Sequence, residues 1–310
     1  MAFTEIYRDQ VRLLVRALPY VAREECFALK GGTAINLFVR HMPRLSVDID
    51  LTYLPDANRQ TALNSIETAL RRIAAELRRA LQDVQITESK PHTQDTTNKL
   101  IVRTRDGVQI KIEVTPVLRG SVFEPRWQPV VPRVENEFGF AEISVLSFAD
   151  LYAGKIMAAL DRQHPRDLYD ASLLLDNEGI DDHLRKAVII YLISHDRPPD
   201  ELLKPTKKDI AHEYSTGFSG MTEEPVELEH LVATRQRLAD DLLDNMPDSH
   251  ARFLLSFYRQ EPDWKLLELP GADKLPAVRW KQQNLAKATK ERQNTLIESL
   301  SDLLRTENGP

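Results

Sequence analysis

A short segment with two carboxylates on one face constrains this chain more than any other feature. The run Val47-Asp48-Ile49-Asp50-Leu51 alternates apolar and acidic residues. Successive side chains of a strand point to opposite faces, so we expect the apolar residues to enter a core while Asp48 and Asp50 share the other face. Adjacent carboxylates repel each other unless a positive charge lies between them. The segment therefore predicts a half-buried strand that carries a cation site.

Two glycines lie upstream of this strand. Gly31 and Gly32 stand between a predicted strand over 27–29 and a predicted helix over 33–39. Glycine has no side chain to block a phosphate, and its backbone N–H groups stay free to meet one. Mg²⁺ takes hard oxygen ligands from carboxylates together with substrate phosphates. Glycines followed by a D-x-D strand are the layout of a nucleotidyl-transfer site that uses Mg²⁺ or Mn²⁺ and an NTP substrate.

A third carboxylate is predicted to join the first two. Segments 99–105 and 108–114 flank an Asp-Gly turn and predict a β-hairpin, whose second strand places Glu113 on its polar face. Two metals roughly 3.5–4 Å apart need a bridging and flanking carboxylates to stabilise an in-line phosphoryl displacement. Asp48, Asp50 and Glu113 are thus the candidate metal ligands. The alternatives are a solvated strand face for the two aspartates and an exposed sheet edge for Glu113.

The hydrophobic pattern divides the chain near residue 146. The first half, 1–146, mixes helices and strands, whereas 147–310 is almost entirely helical, so the fold class is α/β (α+β) with an all-helical C-terminal domain. The predicted helices are 4–22, 33–39, 58–82, 147–161, 181–194, 205–215, 225–245, 247–259 and 288–304, and another helix is predicted to begin at His164-Pro165. The predicted strands are 27–29, 45–53, 99–105, 108–114 and 140–145, and the proline-rich stretch 116–132 is predicted to be irregular.

Bulk properties exclude several classes of protein. The 310 residues carry a net charge of −6 and one cysteine, Cys26, so a disulfide framework is excluded. The polar first ten residues predict no secretory signal, and the longest apolar run, 187–193, is too short to cross a bilayer. We therefore expect a cytoplasmic protein with no membrane partner. RNA contacts would have to come from local basic clusters, although each cluster could equally be a solvated helix face. The clusters are Arg71-Arg72 with Arg78-Arg79, Lys204 with Lys207-Lys208, and 279–292.

The start of the helical half contains a lysine and several nearby acids. Lys155 is on one predicted helix, and Asp167 and Asp170 are on the next. A lysine that is held near a carboxylate and points into a metal cleft can neutralise triphosphate charge. The alternative, a surface salt bridge between neighbouring helices, would contribute little. Spacing alone does not separate the two.

Three separated motifs carry a resemblance to a known family. They are Leu29-Lys30-Gly31-Gly32-Thr33-Ala34 with Arg44-Leu45-Ser46-Val47-Asp48-Ile49-Asp50-Leu51, then Asp150-Leu151-Tyr152-Ala153-Gly154-Lys155 with Asp161-Arg162 and Pro165-Arg166-Asp167-Leu168-Tyr169-Asp170, and finally Glu261-Pro262-Asp263-Trp264 with Leu275-Pro276-Ala277-Val278-Arg279-Trp280-Lys281. In this order they resemble the AbiEii-type (MenT-like) nucleotidyltransferase toxins. The resemblance implies a polymerase-β-like nucleotidyltransferase domain followed by the helical domain.

The resemblance also implies roles for individual residues. Asp48 and Asp50 would be metal ligands, and Glu113 would be the second-motif carboxylate. Lys155 would contact the triphosphate, and Asp170 would be the acidic residue of the last motif that catalytic activity requires. Glu113 stands where an aspartate is common, which adds a methylene group.

The glycine pair departs from the pattern of the broader superfamily. Gly31-Gly32 stands where Gly-Ser is common. The hydroxyl that touches the triphosphate would then come from Thr33 or Ser46, or be absent.

Family members are toxins of bacterial toxin–antitoxin and phage-defence loci. The resemblance implies transfer of a nucleotide from an NTP to RNA, with the 3′ end of tRNA as the acceptor and a block of translation as the result. It also implies a separately encoded antitoxin. Two alternatives stay open: nucleotidylation of a protein hydroxyl, and a non-catalytic binding module that retains the fold.

Overall fold

The computed structural model describes residues 3–90, 96–116 and 119–304. The chain forms two compact units. The first extends to Leu151 and also includes Phe218–Pro225. The second comprises Tyr152–Gly217 and the chain from Val226 onward. The segment Phe218–Pro225 thus interrupts the sequence of the helical unit and belongs to the sheet-containing one.

The regular elements alternate in the first unit and are helical in the second. The strands are β1 (Phe27–Lys30), β2 (Asp48–Tyr53), β3 (Val84–Ser89), β4 (Lys99–Thr104), β5 (Gln109–Thr115), β6 (Arg126–Pro129) and β7 (Glu142–Val145). The helices are α1 (Glu5–Val21), α2 (Gly31–Ala34), α3 (Arg59–Ala80), α4 (Pro132–Phe138), α5 (Phe148–Asp161), α6 (Pro165–Asn177), α7 (Asp182–Ser194), α8 (Pro199–Leu203), α9 (Ala211–Gly217), α10 (Leu228–Asp244), α11 (Asp248–Tyr258), α12 (Pro276–Leu285) and α13 (Lys290–Leu303).

The seven strands of the described residues form a single sheet in the order β3-β4-β5-β2-β1-β7-β6. The pairs β2–β5 and β1–β7 are parallel, and the other neighbours are antiparallel. Apolar residues of the central strands are fully buried on one face, and helices α1 and α3 pack against the sheet with apolar stripes of their own. The opposite face of β2 and β5 is left to polar and charged side chains.

The fold class predicted from the sequence is confirmed, while several element boundaries were wrong. The D-x-D strand begins at Asp48 rather than at residue 45. The stretch predicted to be irregular contains β6 and the start of α4, and its residues 117–118 lie outside the described part of the chain. The helix after the glycines begins two residues early, at Gly31, and continues as a π-helical segment over Ile35–Val39.

The second unit consists of helices that bury much of their surface. Helix α7 has eight buried residues between Leu184 and Ile193, and all of them except Arg185 are apolar. Helix α12 and the short helix α8 were not predicted, and the predicted helix over 205–215 is observed only as α9. Among the described residues, no helix is both long and apolar enough to cross a membrane.

Candidate active site

Four charged side chains form a row across the polar face of the sheet. The strand register pairs Lys30 of β1 with Asp50 of β2, Asp50 with Glu113 of β5, and Glu113 with Lys99 of β4. Asp48 lies on the same face as Asp50, two residues earlier on β2. The parallel pairing of β2 with β5 therefore brings the three predicted metal ligands to one face of neighbouring strands.

The two lysines at the ends of the row neutralise part of its negative charge. The Lys30 ammonium donates a hydrogen bond to Thr115 Oγ1 at 2.8 Å. Burial lowers the pKa of Lys30, and the nearby Asp50 and Glu113 carboxylates act in the opposite direction. Lys99 Nζ lies 3.3 Å from Glu113 Oε2. The acidic centre thus lies between two half-buried cations.

Asp48 lies beside this row and differs from Asp50 and Glu113 in its contacts. Within the described chain its carboxylate has no side-chain hydrogen-bond donor or ion-pair partner; the Thr33 hydroxyl instead donates to its main-chain oxygen. No three His, Cys, Asp or Glu side chains of the described residues come close enough together to surround a metal ion. The donor chemistry nevertheless suits Mg²⁺, because Asp48 and Asp50 offer hard oxygens on one face. Glu113, beside Asp50, is engaged by Lys99.

Gly31 allows the glycine turn to approach Asp50 closely. Its φ is +74°, in the left-handed region that glycine adopts without strain. A Cβ atom at this position would lie 2.8 Å from Asp50 Oδ2. The sequence predicts that Gly31 leaves room for a phosphate. In the structure, the missing side chain leaves room for the Asp50 carboxylate.

The second glycine packs on a buried arginine and a pair of hydroxyls. A Cβ atom on Gly32 would lie 2.6 Å from Arg44 Nη2 and 2.9 Å from Ser46 Oγ. The Thr33 and Ser46 hydroxyls are buried and lie 3.1 Å apart. Their predicted contact with the triphosphate stays a prediction, and in the structure they bind each other.

Arg44 is a buried residue of this site to which the sequence assigned no role. Only 2% of it is exposed, and it donates to the main-chain oxygen of Leu45 at 2.9 Å. Leu45 N–H in turn donates a hydrogen bond to Met221 O, in the segment Phe218–Pro225, at 2.8 Å. An isolated arginine carries no pattern that predicts burial, since arginine is mostly exposed in proteins. Its role depends on a contact with residues far away in the sequence.

Lys155 and the acids of the second motif form a buried cluster in the helical unit. Lys155 Nζ lies 2.8 Å from Asp167 Oδ1 and 3.0 Å from Asp170 Oδ2. The exposed fractions of the three side chains are 6%, 1% and 0% in that order. Arg162 Nε donates to Asp167 Oδ2 at 2.6 Å from the surface side. The ion pairs expected between neighbouring helices are present, but they are buried rather than on the surface.

The two cations beside Asp167, Lys155 and Arg162, lower its pKa. Burial alone would raise the pKa of Asp167, but the charges and hydrogen bonds of Lys155 and Arg162 outweigh it and hold the pKa well below its usual range. The carboxylate is therefore ionised whenever the protein is folded near neutral pH. Lys155 has a fixed negative partner on each side.

The arginines of α3 are paired with carboxylates. Arg71, Arg72, Arg78 and Arg79 each lie within salt-bridge distance of a glutamate, the partners being Glu67, Glu24, Glu88 and Glu76. These ion pairs match the alternative prediction for this basic cluster, a solvated helix face rather than an RNA contact.

Two other cations lie on the carboxylate face itself. Arg103 of β4 and Lys111 of β5 are exposed, and Lys111 is paired in register with Asp48. Neither has an ion pair to another described residue. Arg103 and Lys111 were not predicted from the sequence, because single basic residues on two strands form no continuous basic cluster.

Two solved structures are similar to this protein. The structure resembles MenT4, a nucleotidyltransferase toxin from Mycobacterium tuberculosis, with a TM-score of 0.56 and 15% identity over 96% of this chain and 93% of that one. It also matches JHP933 from Helicobacter pylori, with a TM-score of 0.46 and 17% identity over 79% of this chain and 95% of that one. A search of curated protein sequences gave no match.

A family model described as "Nucleotidyl transferase AbiEii toxin, Type IV TA system" matches residues 12–284, which include the strand of Asp48, the strand of Glu113 and the Lys155 cluster. The MenT4 likeness shows a shared fold, and the family match covers most of the chain. The chain belongs to the AbiEii family of nucleotidyltransferase toxins and is a nucleotidyltransferase of a toxin–antitoxin system.

Proposed function

We propose that this enzyme transfers a nucleotide from an NTP to RNA, with the 3′ end of tRNA as the acceptor, and so blocks translation. The observation that carries the proposal is the set of three carboxylates, Asp48, Asp50 and Glu113, on one face of two paired strands in a nucleotidyltransferase family member. The toxin–antitoxin family implies an antitoxin partner. We place the reaction in the cytoplasm, where tRNA is, and the biological role in phage defence.

Asp48, Asp50 and Glu113 are the residues that would hold Mg²⁺ or Mn²⁺. A divalent metal bound there would increase the nucleophilicity of a hydroxyl and stabilise the charge of the departing pyrophosphate. Asp48 is ready for this role because its carboxylate has no competing side-chain donor among the described residues. Glu113 would have to leave Lys99, 3.3 Å away, to become a ligand. Gly31 keeps the space beside Asp50 free of a side chain.

Lys155 is the residue proposed to bind the triphosphate. Its ammonium is nearly buried and is fixed by two carboxylates, Asp167 at 2.8 Å and Asp170 at 3.0 Å. Such fixation reduces the entropic cost when a flexible lysine engages a phosphate. Asp170 is fully buried, so we assign it to positioning Lys155 rather than to contact with the substrate.

The exposed cations on the carboxylate face support a nucleic-acid acceptor. Arg103 and Lys111 lie on the same side of the sheet as Asp48, where they could contact the backbone phosphates of an RNA that presents its end to the site. Cation–phosphate contacts provide most of the sequence-independent affinity for nucleic acids. With a net charge of −6, the protein needs such a local surface to attract RNA.

The test is a transfer assay with a matched pair of variants. Purified protein is incubated with Mg²⁺, total bacterial RNA and each of the four α-labelled NTPs in turn. Asp48→Asn removes a proposed ligand; Asp106→Asn, in the exposed Asp-Gly turn of the β4–β5 hairpin, is the control, because Asn-Gly forms the same turn. We expect label in tRNA-sized RNA with the wild type and with Asp106→Asn, and none with Asp48→Asn.

Other outcomes separate the remaining alternatives. Label that survives RNase and disappears on protease treatment would replace the RNA acceptor with a protein hydroxyl. Label that persists in Asp48→Asn would remove Asp48 from the proposed metal site.

A further inference from the structure

The row of charges on the sheet contains a cation of its own beside the proposed metal ligands. Lys30 is the last residue of β1, directly before the glycine turn, and is paired in register with Asp50. Its ammonium is fixed by Thr115 Oγ1 at 2.8 Å, on the same strand and face as Glu113. Both Asp50 and Glu113 act electrostatically on it.

We infer that Lys30 is a positioning residue that acts as a built-in counter-ion, holding Asp50 and Glu113 together in the metal-free enzyme and weakening the affinity of the site for a free divalent cation. This inference rests on the proposed function, because it concerns the same carboxylates. The roles of the carboxylates follow from the family resemblance, whereas that of Lys30 follows from the strand register and the Thr115 contact.

Electrostatics explains both halves of the role. Two carboxylates on adjacent strands repel each other, and a fixed ammonium near both removes most of that repulsion. The same ammonium repels a dication that approaches the same oxygens. A nucleoside triphosphate brings additional negative charge and overcomes this repulsion. The cation is thus expected to bind well only together with the nucleotide.

Lys99 cannot replace Lys30 in this role. It contacts Glu113 from the far side of the row, at 3.3 Å, with 30% of its side chain exposed. It is also one strand further from Asp50. The repulsion of a dication falls with distance, so Lys30, on the strand next to Asp50, has the larger influence on the cation site.

The test measures Mn²⁺ binding to the protein without nucleotide, by the decrease of the free Mn²⁺ signal in electron paramagnetic resonance. We expect Lys30→Met to bind Mn²⁺ about tenfold more tightly than the wild type, because a repelling charge has been removed. Lys30→Arg, which keeps the charge, should remain within about threefold of the wild type. Lys90→Met makes the same charge change at an exposed position after β3 and should leave the affinity unchanged.

The possible results separate this inference from the proposed function. Equal or weaker Mn²⁺ binding by Lys30→Met would overturn the inference. If Lys30→Met does not fold, Lys30→Gln, which keeps a donor for Thr115, replaces it with the same expected gain. Adding Asp48→Asn to the Lys30 variant should abolish the gain; Mn²⁺ binding that survives this change would place the cation elsewhere and overturn the proposed metal site as well. A gain in affinity with no transfer to RNA would support the role of Lys30 and contradict only the proposed acceptor.

Discussion

The charged residues on the sheet face and the Lys155 cluster of the helical unit differ in their burial and in the pairing of their charges. On the sheet face, Asp48, Asp50 and Glu113 are half-buried, and the Asp48 carboxylate has no donor from a described side chain. In the helical unit, Lys155 and its partners are almost completely buried, and the ammonium is held between two carboxylates. The sheet face therefore leaves the Asp48 carboxylate without a cationic partner among the described side chains, whereas the charges of the Lys155 cluster are paired with one another.

This difference determines what a mutation should disturb. Removing one member of a buried ion pair leaves an uncompensated charge in a medium that solvates it poorly, and the stability falls. Removing one of several partly solvated carboxylates relieves repulsion and costs the fold little. Changes on the sheet face should therefore affect the reaction with little effect on stability, whereas changes in the helical cluster should lower the stability of the folded state in addition to any effect on triphosphate binding by Lys155.

The largest expected effect is on activity, from Asp48→Asn. Removal of this proposed metal ligand should slow nucleotide transfer by about a thousandfold or more, since roughly 4 kcal/mol of transition-state stabilisation would depend on it. The thermal midpoint should shift by no more than about 2 °C. Transfer rates and melting curves, measured on the same preparation, check both statements. A variant that is inactive because it is unfolded would contradict the contrast between the clusters.

The next largest effect is on stability, from Asp170→Ala. Breaking the buried pair with Lys155 should lower the free energy of unfolding by about 3–5 kcal/mol in urea denaturation. Asp176→Ala on the same helix removes an aspartate that binds Arg237 at the surface, where 43% of its side chain is exposed. This control should cost less than about 1 kcal/mol. Equal decreases in the two variants would remove the distinction between buried and exposed pairs.

Gly31→Ala should disturb the sheet-face site through sterics. The left-handed backbone strains any residue with a Cβ, at about 1–3 kcal/mol, and here the Cβ would also press on Asp50. Gly107→Ala is the control, because Gly107 also has positive φ but nothing lies within 4 Å of its Cβ position. We expect similar decreases in stability, with nucleotide transfer reduced only in Gly31→Ala. Full activity of Gly31→Ala would show that Asp50 tolerates displacement.

The smallest expected effect concerns RNA affinity. Replacing both Arg103 and Lys111 with alanine should lower the slope of log affinity against log salt by about 0.7 for each phosphate of single-stranded RNA that the protein no longer binds. Replacing Arg78 and Arg79, which are paired with Glu88 and Glu76, should change the slope less. Binding titrations over a series of salt concentrations give both slopes. A larger change for the α3 arginines would place the RNA on that helix instead.

The local patterns in the sequence predicted much of the first unit. Alternation placed Asp48, Asp50 and Glu113 on polar strand faces, because the two-residue period of a strand depends only on neighbouring residues. The edge strands β3 and β6 were missed for a local reason too. β3 is largely exposed and therefore lacks a clear apolar side, and β6 is four residues long and ends in a proline.

Other features depend on contacts between distant segments and could not be predicted in this way. The row from Lys30 to Lys99 exists only because β1, β2, β5 and β4 are neighbours in a particular register. The attachment of Phe218–Pro225 to the first unit, beside Arg44, has no local signal either. For Lys155, the sequence predicted the ion-pair partners but left open whether they were buried.

The most direct measurement is the rate of nucleotide transfer per folded molecule for Asp48→Asn and Asp170→Ala, side by side with the wild type. The folded fraction is fixed from denaturation curves, and the assay runs at a temperature where Asp170→Ala remains folded. We expect Asp48→Asn to be fully folded and at least about a thousandfold slower, and Asp170→Ala to be destabilised but less impaired per folded molecule. Near-normal transfer by folded Asp48→Asn would contradict a catalytic centre on the sheet face.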